Sequence, residues 1–157
     1  MPHLHAGPGG FLVIEVIVRG IPAPQGSKRH VGNGRMIESS KAVGPWREAI
    51  RAETQRVMDA LCVYPISGPV GVQVNFNLPR PKGHYRTGKN AHLLSVGAPR
   101  CPAGTPDLDK LVRAVLDGLT AGGAWKDDGQ VVSLLAYKRY ADGVPVGCKI
   151  EITEVAG

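Results

Sequence analysis

Six apolar residues between Leu108 and Leu119 fix one element of this chain before anything else is considered. Leu108, Leu111, Val112, Val115, Leu116 and Leu119 follow one another at intervals of three and four, the spacing of a single stripe on an α-helix. Asp109, Lys110, Arg113 and Asp117 fall on the other side. Thr105-Pro106 supplies a start signal and Gly122-Gly123 a stop. A helix of this kind must bury its stripe against another layer.

The second clear pattern supplies that layer. From Val70 to Leu78, Val70, Val72, Val74 and Phe76 alternate with Gly71, Gln73, Asn75 and Asn77, so the segment predicts a strand with one buried face. Phe11 to Arg19, Val131 to Tyr140 and Val146 to Ile152 are also rich in β-branched residues and predict strands. A turn at Asp142-Gly143 joins the last two. Pro45 to Leu61 predicts a second helix, with Pro45 in the first turn and Trp46, Ala49, Ile50, Val57 and Leu61 at helical spacing. The order is β-α-β-α-β-β. The expected fold is α+β: one domain over residues 11–157, with two amphipathic helices on a four-stranded mixed sheet. Residues 1–10, rich in Gly, Pro and His, read as a flexible leader. They lack the basic start and cleavage site of a signal peptide.

Composition narrows the functional classes. A chain of 157 residues can bury a core without staples, and 43% hydrophobic residues argue against disorder. No apolar run approaches the length of a membrane span. Cys62, Cys101 and Cys148 are odd in number and widely spaced, which speaks against a disulfide framework or a zinc knuckle. A reducing, cytoplasmic setting is the expectation. The formal net charge is +6, an excess that favours a polyanionic partner.

The charge is unevenly spread. No Asp or Glu occurs between Asp59 and Asp107. Within that interval, residues 79–106 form a basic loop punctuated by Gly and Pro, a type of stretch more often functional or mobile than packed. Lys82, Arg86 and Lys89 form one candidate nucleic-acid patch; Lys28, Arg29 and Arg35, in an earlier basic loop, form another. Phosphate contacts of this kind set affinity and make it salt-dependent. Tyr85, between Lys82 and Arg86, is placed to stack on an unpaired base or to remain a surface residue. His84 and His92 read as surface residues, Trp46 and Trp125 as core.

The acids gather where the basic loop ends. Asp107-Leu108-Asp109 opens the helix and Asp127-Asp128 precedes the next strand. If that strand packs beside the helix start, the two pairs converge. Clustered carboxylates stay ionised at neutral pH only if a cation shares their site, and carboxylate oxygens suit Mg²⁺. The alternative needs no metal: Asp near a helix N-terminus stabilises the dipole, and Asp-Asp-Gly is ordinary turn chemistry. Arg113, one turn beyond Asp109, either contacts phosphate or forms a surface ion pair with Asp109 or Asp117.

Three segments in order carry a resemblance. Thr105-Pro106-Asp107-Leu108-Asp109-Lys110-Leu111, then Leu116-Asp117-Gly118-Leu119, then Trp125-Lys126-Asp127-Asp128-Gly129-Gln130-Val131-Val132 resemble the core of the RusA family of Holliday junction resolvases. Gly20-x-Pro-x-Pro followed by Gly26-Ser27-Lys28-Arg29 is similar to the family's early basic segment. The resemblance implies a Mg²⁺-dependent endodeoxyribonuclease, Mn²⁺ being a possible substitute, that acts on branched DNA as a homodimer. Asp107, Asp109 and Asp128 match the metal-binding acids, with Asp127 a neighbour. The family often has Lys where this chain has Arg113, and Asn where it has Lys110. Arg keeps the charge but cannot donate a proton at neutral pH, so the implied catalytic role of Arg113 is phosphate contact. A non-catalytic DNA-binding accessory protein and a general metal-dependent nuclease are the competing expectations.

Overall fold

The computed structural model describes residues 4–6, 11–26, 28–30, 33, 36–38 and 41–156, and for 4–6, 28–30 and 36–38 the description is of the backbone. In chain order the elements are β1 (Leu4–Ala6), β2 (Leu12–Arg19), β3 (Lys28–His30), β4 (Met36–Glu38), α1 (Val43–Ala60), β5 (Val70–Leu78), α2 (Leu108–Ala121), β6 (Val131–Tyr140) and β7 (Gly147–Glu154). The strands expected at 70–78 and 131–140 have those bounds. The others differ by one or two residues at their ends, where local pattern is weakest.

The main sheet runs β1-β2-β7-β5-β6. The four expected strands form one mixed sheet, consistent with the expected α+β fold, and β1 adds a short fifth at one edge from within the stretch read as a leader. Three residues are too few to show a period, so no pattern announced it. The pair β3–β4 forms a separate hairpin for which the same holds. β7 is antiparallel to both β2 and β5, while β6 is parallel to β5. That parallel pair requires a crossover, which residues 79–130, including α2, supply.

The core lies between one face of the sheet and the two helices. From the sheet come Ile14, Val16, Val72, Val74, Phe76, Ile150 and Ile152; from the helices come Trp46, Ile50, Val57, Leu111, Val115 and Leu119. Burying a large apolar side chain of this kind stabilises the fold by roughly 1.5–3 kcal/mol. Trp125 is buried as expected. The helices approach closely because glycines line α2: a Cβ on Gly118 would fall 2.7 Å from Ile50 Cγ2, and one on Gly122 would fall 2.6 Å from Thr54 Cβ. Cys62, Cys101 and Cys148 are all free, and no helix is long and apolar enough to cross a membrane among the described residues.

The β6 strand is the exception to this burial. It occupies an edge of the sheet and leaves Val132, Leu134, Leu135 and Tyr137 exposed. By its register with β5, Leu134 lies on the helix side and Leu135 and Tyr137 on the opposite side. Apolar side chains are therefore open on both faces of one edge strand.

Candidate active site

The first turn of α2 carries the first acid pair. Asp107 occupies the N-cap position, yet its side chain makes no capping hydrogen bond. It pairs instead with Lys110 at 3.0 Å. That contact is the main reason the Lys110 ammonium is held above its ordinary pKa. Asp109 is exposed on the same turn. A capping hydrogen bond therefore does not account for Asp107, although its charge still lies at the favourable end of the helix dipole. Arg113 is also exposed and makes no ion pair among the described residues. Its expected alternative partner Asp117 lies 3.6 Å from Arg47.

The second acid pair divides into two roles. Asp127 accepts a hydrogen bond from the Gly129 N–H at 2.6 Å and caps the short 3₁₀ turn Asp128–Gln130. Asp128 points elsewhere. Its Oδ1 accepts from the Thr120 hydroxyl and lies 3.3 Å from Trp125 Nε1, which itself donates to Thr120 Oγ1 at 2.8 Å. The other oxygen of Asp128, Oδ2, has no protein partner among the described residues.

These contacts decide where the acids stand relative to one another. Thr120 lies in the last turn of α2. At a rise of about 1.5 Å per residue, Asp109 and Thr120 are separated by roughly 16 Å along the helix. Asp128 is thus held at the C-terminal end of α2, and Asp107 and Asp109 stand at its N-terminal end. The β6 strand confirms this polarity: it starts beside Asp128, and further along Lys138 donates to Gly104 O at 2.5 Å and Pro106 O at 2.9 Å, just before Asp107. The expected convergence of both acid pairs within one chain does not occur. No group of three metal-ligating side chains gathers among the described residues. The physical reason is the direction of β6. A strand parallel to β5, reached through α2, must begin where α2 ends.

The basic loops lie at the Asp107 end. Residues 79–106 connect the end of β5 to the start of α2 and contain two 3₁₀ turns, Lys82–His84 and Gly88–Asn90. Lys82, Arg86 and Lys89 are all exposed there. Lys28 and Arg29 lie on β3, whose preceding segment is tied to α2 by Gln25 N–H donating to Lys110 O at 3.0 Å. Arg35 lies outside the described residues.

Sequence reading missed the supporting roles of several residues. The Arg80 side chain is only 5% exposed and forks onto Asp142 at 2.8 and 2.5 Å. It also lies 4.1 Å from the centre of the Tyr140 ring and donates to Pro99 O at 2.7 Å, so it fastens the basic loop to the sheet. His84 is half-buried rather than a surface residue, edge-on to Tyr140 at 5.4 Å; Tyr85 is half-buried too. Gln130 donates to Ile66 O and Gly68 O and accepts from Lys126 N–H and Asp127 N–H, locking the turn that carries Asp128. Lys138 left a signal: it puts a charge on the helix-side face of β6, where Leu134 and Ala136 are apolar. Thr120 left none.

Comparison with known proteins adds one match. The family model described as Endodeoxyribonuclease RusA matches residues 19–153. No curated protein matches the chain.

Proposed function

This chain belongs to the RusA endodeoxyribonuclease family, and on that premise we propose that it hydrolyses phosphodiester bonds at four-way DNA junctions, as a homodimer using a divalent cation, Mg²⁺ or alternatively Mn²⁺. The observation that carries the reading is the position of Asp107 and Asp109 at one end of α2 and Asp128 at the other, with the exposed apolar strand β6 running between the two ends.

Carboxylate oxygens are the ligands a hard cation takes, so the donor chemistry fits. The placement within one chain does not. A second copy resolves the mismatch. A two-fold axis crossing the middle of β6 would set the start of one β6 strand beside the end of the other. Asp107 and Asp109 of one chain would then face Asp128 of the partner subunit. The same contact would cover Leu134, Leu135 and Tyr137 and satisfy the open strand edge, which is otherwise an aggregation hazard. A symmetric contact of this kind gives two identical sites, as needed to cut two opposed strands.

A divalent ion held by these acids would supply Lewis-acid polarisation of a phosphate and of a water. The chain's own residues supply the rest. Arg113 extends from the turn after Asp109 with both edges of its guanidinium uncommitted among the described residues, and that planar fork matches phosphate. It would hold the scissile phosphate and balance the charge that develops as the leaving oxygen departs. Its role is phosphate contact and not proton transfer. Lys138 holds the backbone ahead of Asp107 and so aims the first acid pair. Lys82, Arg86 and Lys89, with Lys28 and Arg29, would grip the phosphates of the junction arms.

A labelled synthetic four-way junction incubated with and without Mg²⁺ tests the proposal. Paired, symmetric nicks that require the metal are expected. Binding with no cutting in any divalent metal would favour an accessory protein, and equal cutting of linear duplex would favour a general nuclease.

A further inference from the structure

Among the described residues, the most exposed large apolar side chain sits within the basic loop 79–106. Val96 is 98% exposed. Leu93 and Leu94, just before it, are 41% and 39% exposed. Single exposed apolar residues are ordinary on protein surfaces. This one differs in how it is held. Val96 occupies the corner of a tight turn closed by Ala98 N–H donating to Ser95 O at 3.0 Å. Both flanks of the turn are fastened: Ser95 N–H donates to His84 O at 2.9 Å, and Pro99 O accepts from Arg80 at 2.7 Å. Arg80 is in turn locked to Asp142. Behind the turn, Arg86 N–H bonds Leu93 O at 2.8 Å and its side chain reaches Leu94 O at 3.2 Å. An apolar corner is thus presented to solvent on a fixed support.

The charge around it selects the partner. Lys82, Arg86, Lys89 and Arg100 share this loop with no acid among them, so the surface suits a polyanion and repels a cationic partner. Linear duplex offers phosphates, but its base faces are covered by stacking, so a Val enters only by unstacking an intact base step. At a branch point the stack is already interrupted, so the base pairs at the crossing present a face that opens at lower cost. Apolar wedges on basic supports unstack base steps in this way, and a rigid wedge loses little freedom on binding.

The geometry points to the Ser95–Ala98 turn as a wedge that enters the centre of a branched DNA, with Val96 against the exposed face of a branch-point base pair. This rests on the junction reading proposed above and adds the element that would tell a branch from a duplex.

The test uses the full chain and a four-way junction carrying 2-aminopurine beside the crossing, in Ca²⁺ without Mg²⁺. Wild-type protein should raise the fluorescence by roughly twofold or more as the base unstacks. Val96→Ser should lose most of that rise while its affinity for linear duplex stays unchanged; Val96→Leu should keep it. Val96 makes no core contact, so thermal melting of the Ser variant should match wild type. An undiminished rise with Val96→Ser would overturn the inference. So would a shift of that variant to a smaller species in sedimentation, which would make the turn a contact between copies of the chain. The two proposals fail separately. Unstacking without cutting in Mg²⁺ would remove the nuclease reading and leave the wedge. Normal cutting with unstacking insensitive to Val96 would remove the wedge alone.

Discussion

Thr120 donates its hydroxyl hydrogen to Asp128, and this contact fixes Asp128 at the end of α2 farthest from Asp109. Trp125 completes the support from the buried side. The carboxylate is therefore held in place with one oxygen unpartnered among the described residues, well away from the acids expected to share its task. The proposed sharing of each site between two chains has a sharp experimental consequence.

Asp109→Asn and Asp128→Asn should each abolish junction cleavage when assayed alone. Mixed together under exchange conditions, they should regain nicking. In a mixed dimer one shared site carries both changes, while the other retains Asp109 from one chain and Asp128 from the other. The restored activity should nick one strand rather than two. Each variant should still bind the junction in Ca²⁺. A gel of the mixture that shows no nicks would place each site within a single chain.

Arg113→Ala should lower turnover by roughly 10²-fold, the usual cost of removing a group that stabilises developing charge. Junction affinity should change far less, because many other cations share the phosphate contacts. Single-turnover rates and binding curves measured side by side check the split. Equal turnover in variant and wild type would make Arg113 a solvated surface residue.

Neutralising Lys82, Arg86 and Lys89 together should flatten the dependence of log affinity on log salt, by up to about 3 if all three touch phosphate. Arg86 is partly engaged by Leu94 O, so its share should be the smallest. Titration at several salt concentrations reads the slope directly. An unchanged slope would mean the loop does not meet DNA phosphates.

Burial pushes the Cys148 thiol from its ordinary 9.0 up to about 12. The folded chain therefore keeps the proton while the unfolded chain loses it above pH 9. Folding stability should fall as pH rises through that window, by at most about 1.4 kcal/mol per pH unit from this group. Cys148→Ala should remove that part of the slope, as read by urea melts between pH 8 and pH 10. At pH 7, a thiol reagent should modify Cys62 and Cys101 quickly and Cys148 only on unfolding, since Cys148 alone is buried.

Much of this molecule was legible from local pattern. The stripe from Leu108 to Leu119 and the alternation from Val70 to Phe76 named α2 and β5, because side-chain burial repeats with the period of the backbone. The motif from Asp107 to Val132 named the family. The acids themselves, and the long basic interval before Asp107, needed only the order of residues. Short elements escaped: β1 and the β3–β4 hairpin are three residues long per strand, below the length at which a period can show.

What the chain's order could not decide was which acids stand together. Asp107, Asp109 and Asp128 are separated by one helix and a turn, and sequence spacing is silent on whether such a path returns or runs straight on. The parallel pairing of β6 with β5 settles it, because a parallel strand must start at the far end of its crossover. Likewise Arg80 reads as one more cation among many until Asp142, Tyr140 and Pro99, distant in sequence, close around it. Sequence set the chemistry available and the elements that carry it; the direction of one edge strand decided where each acid lies.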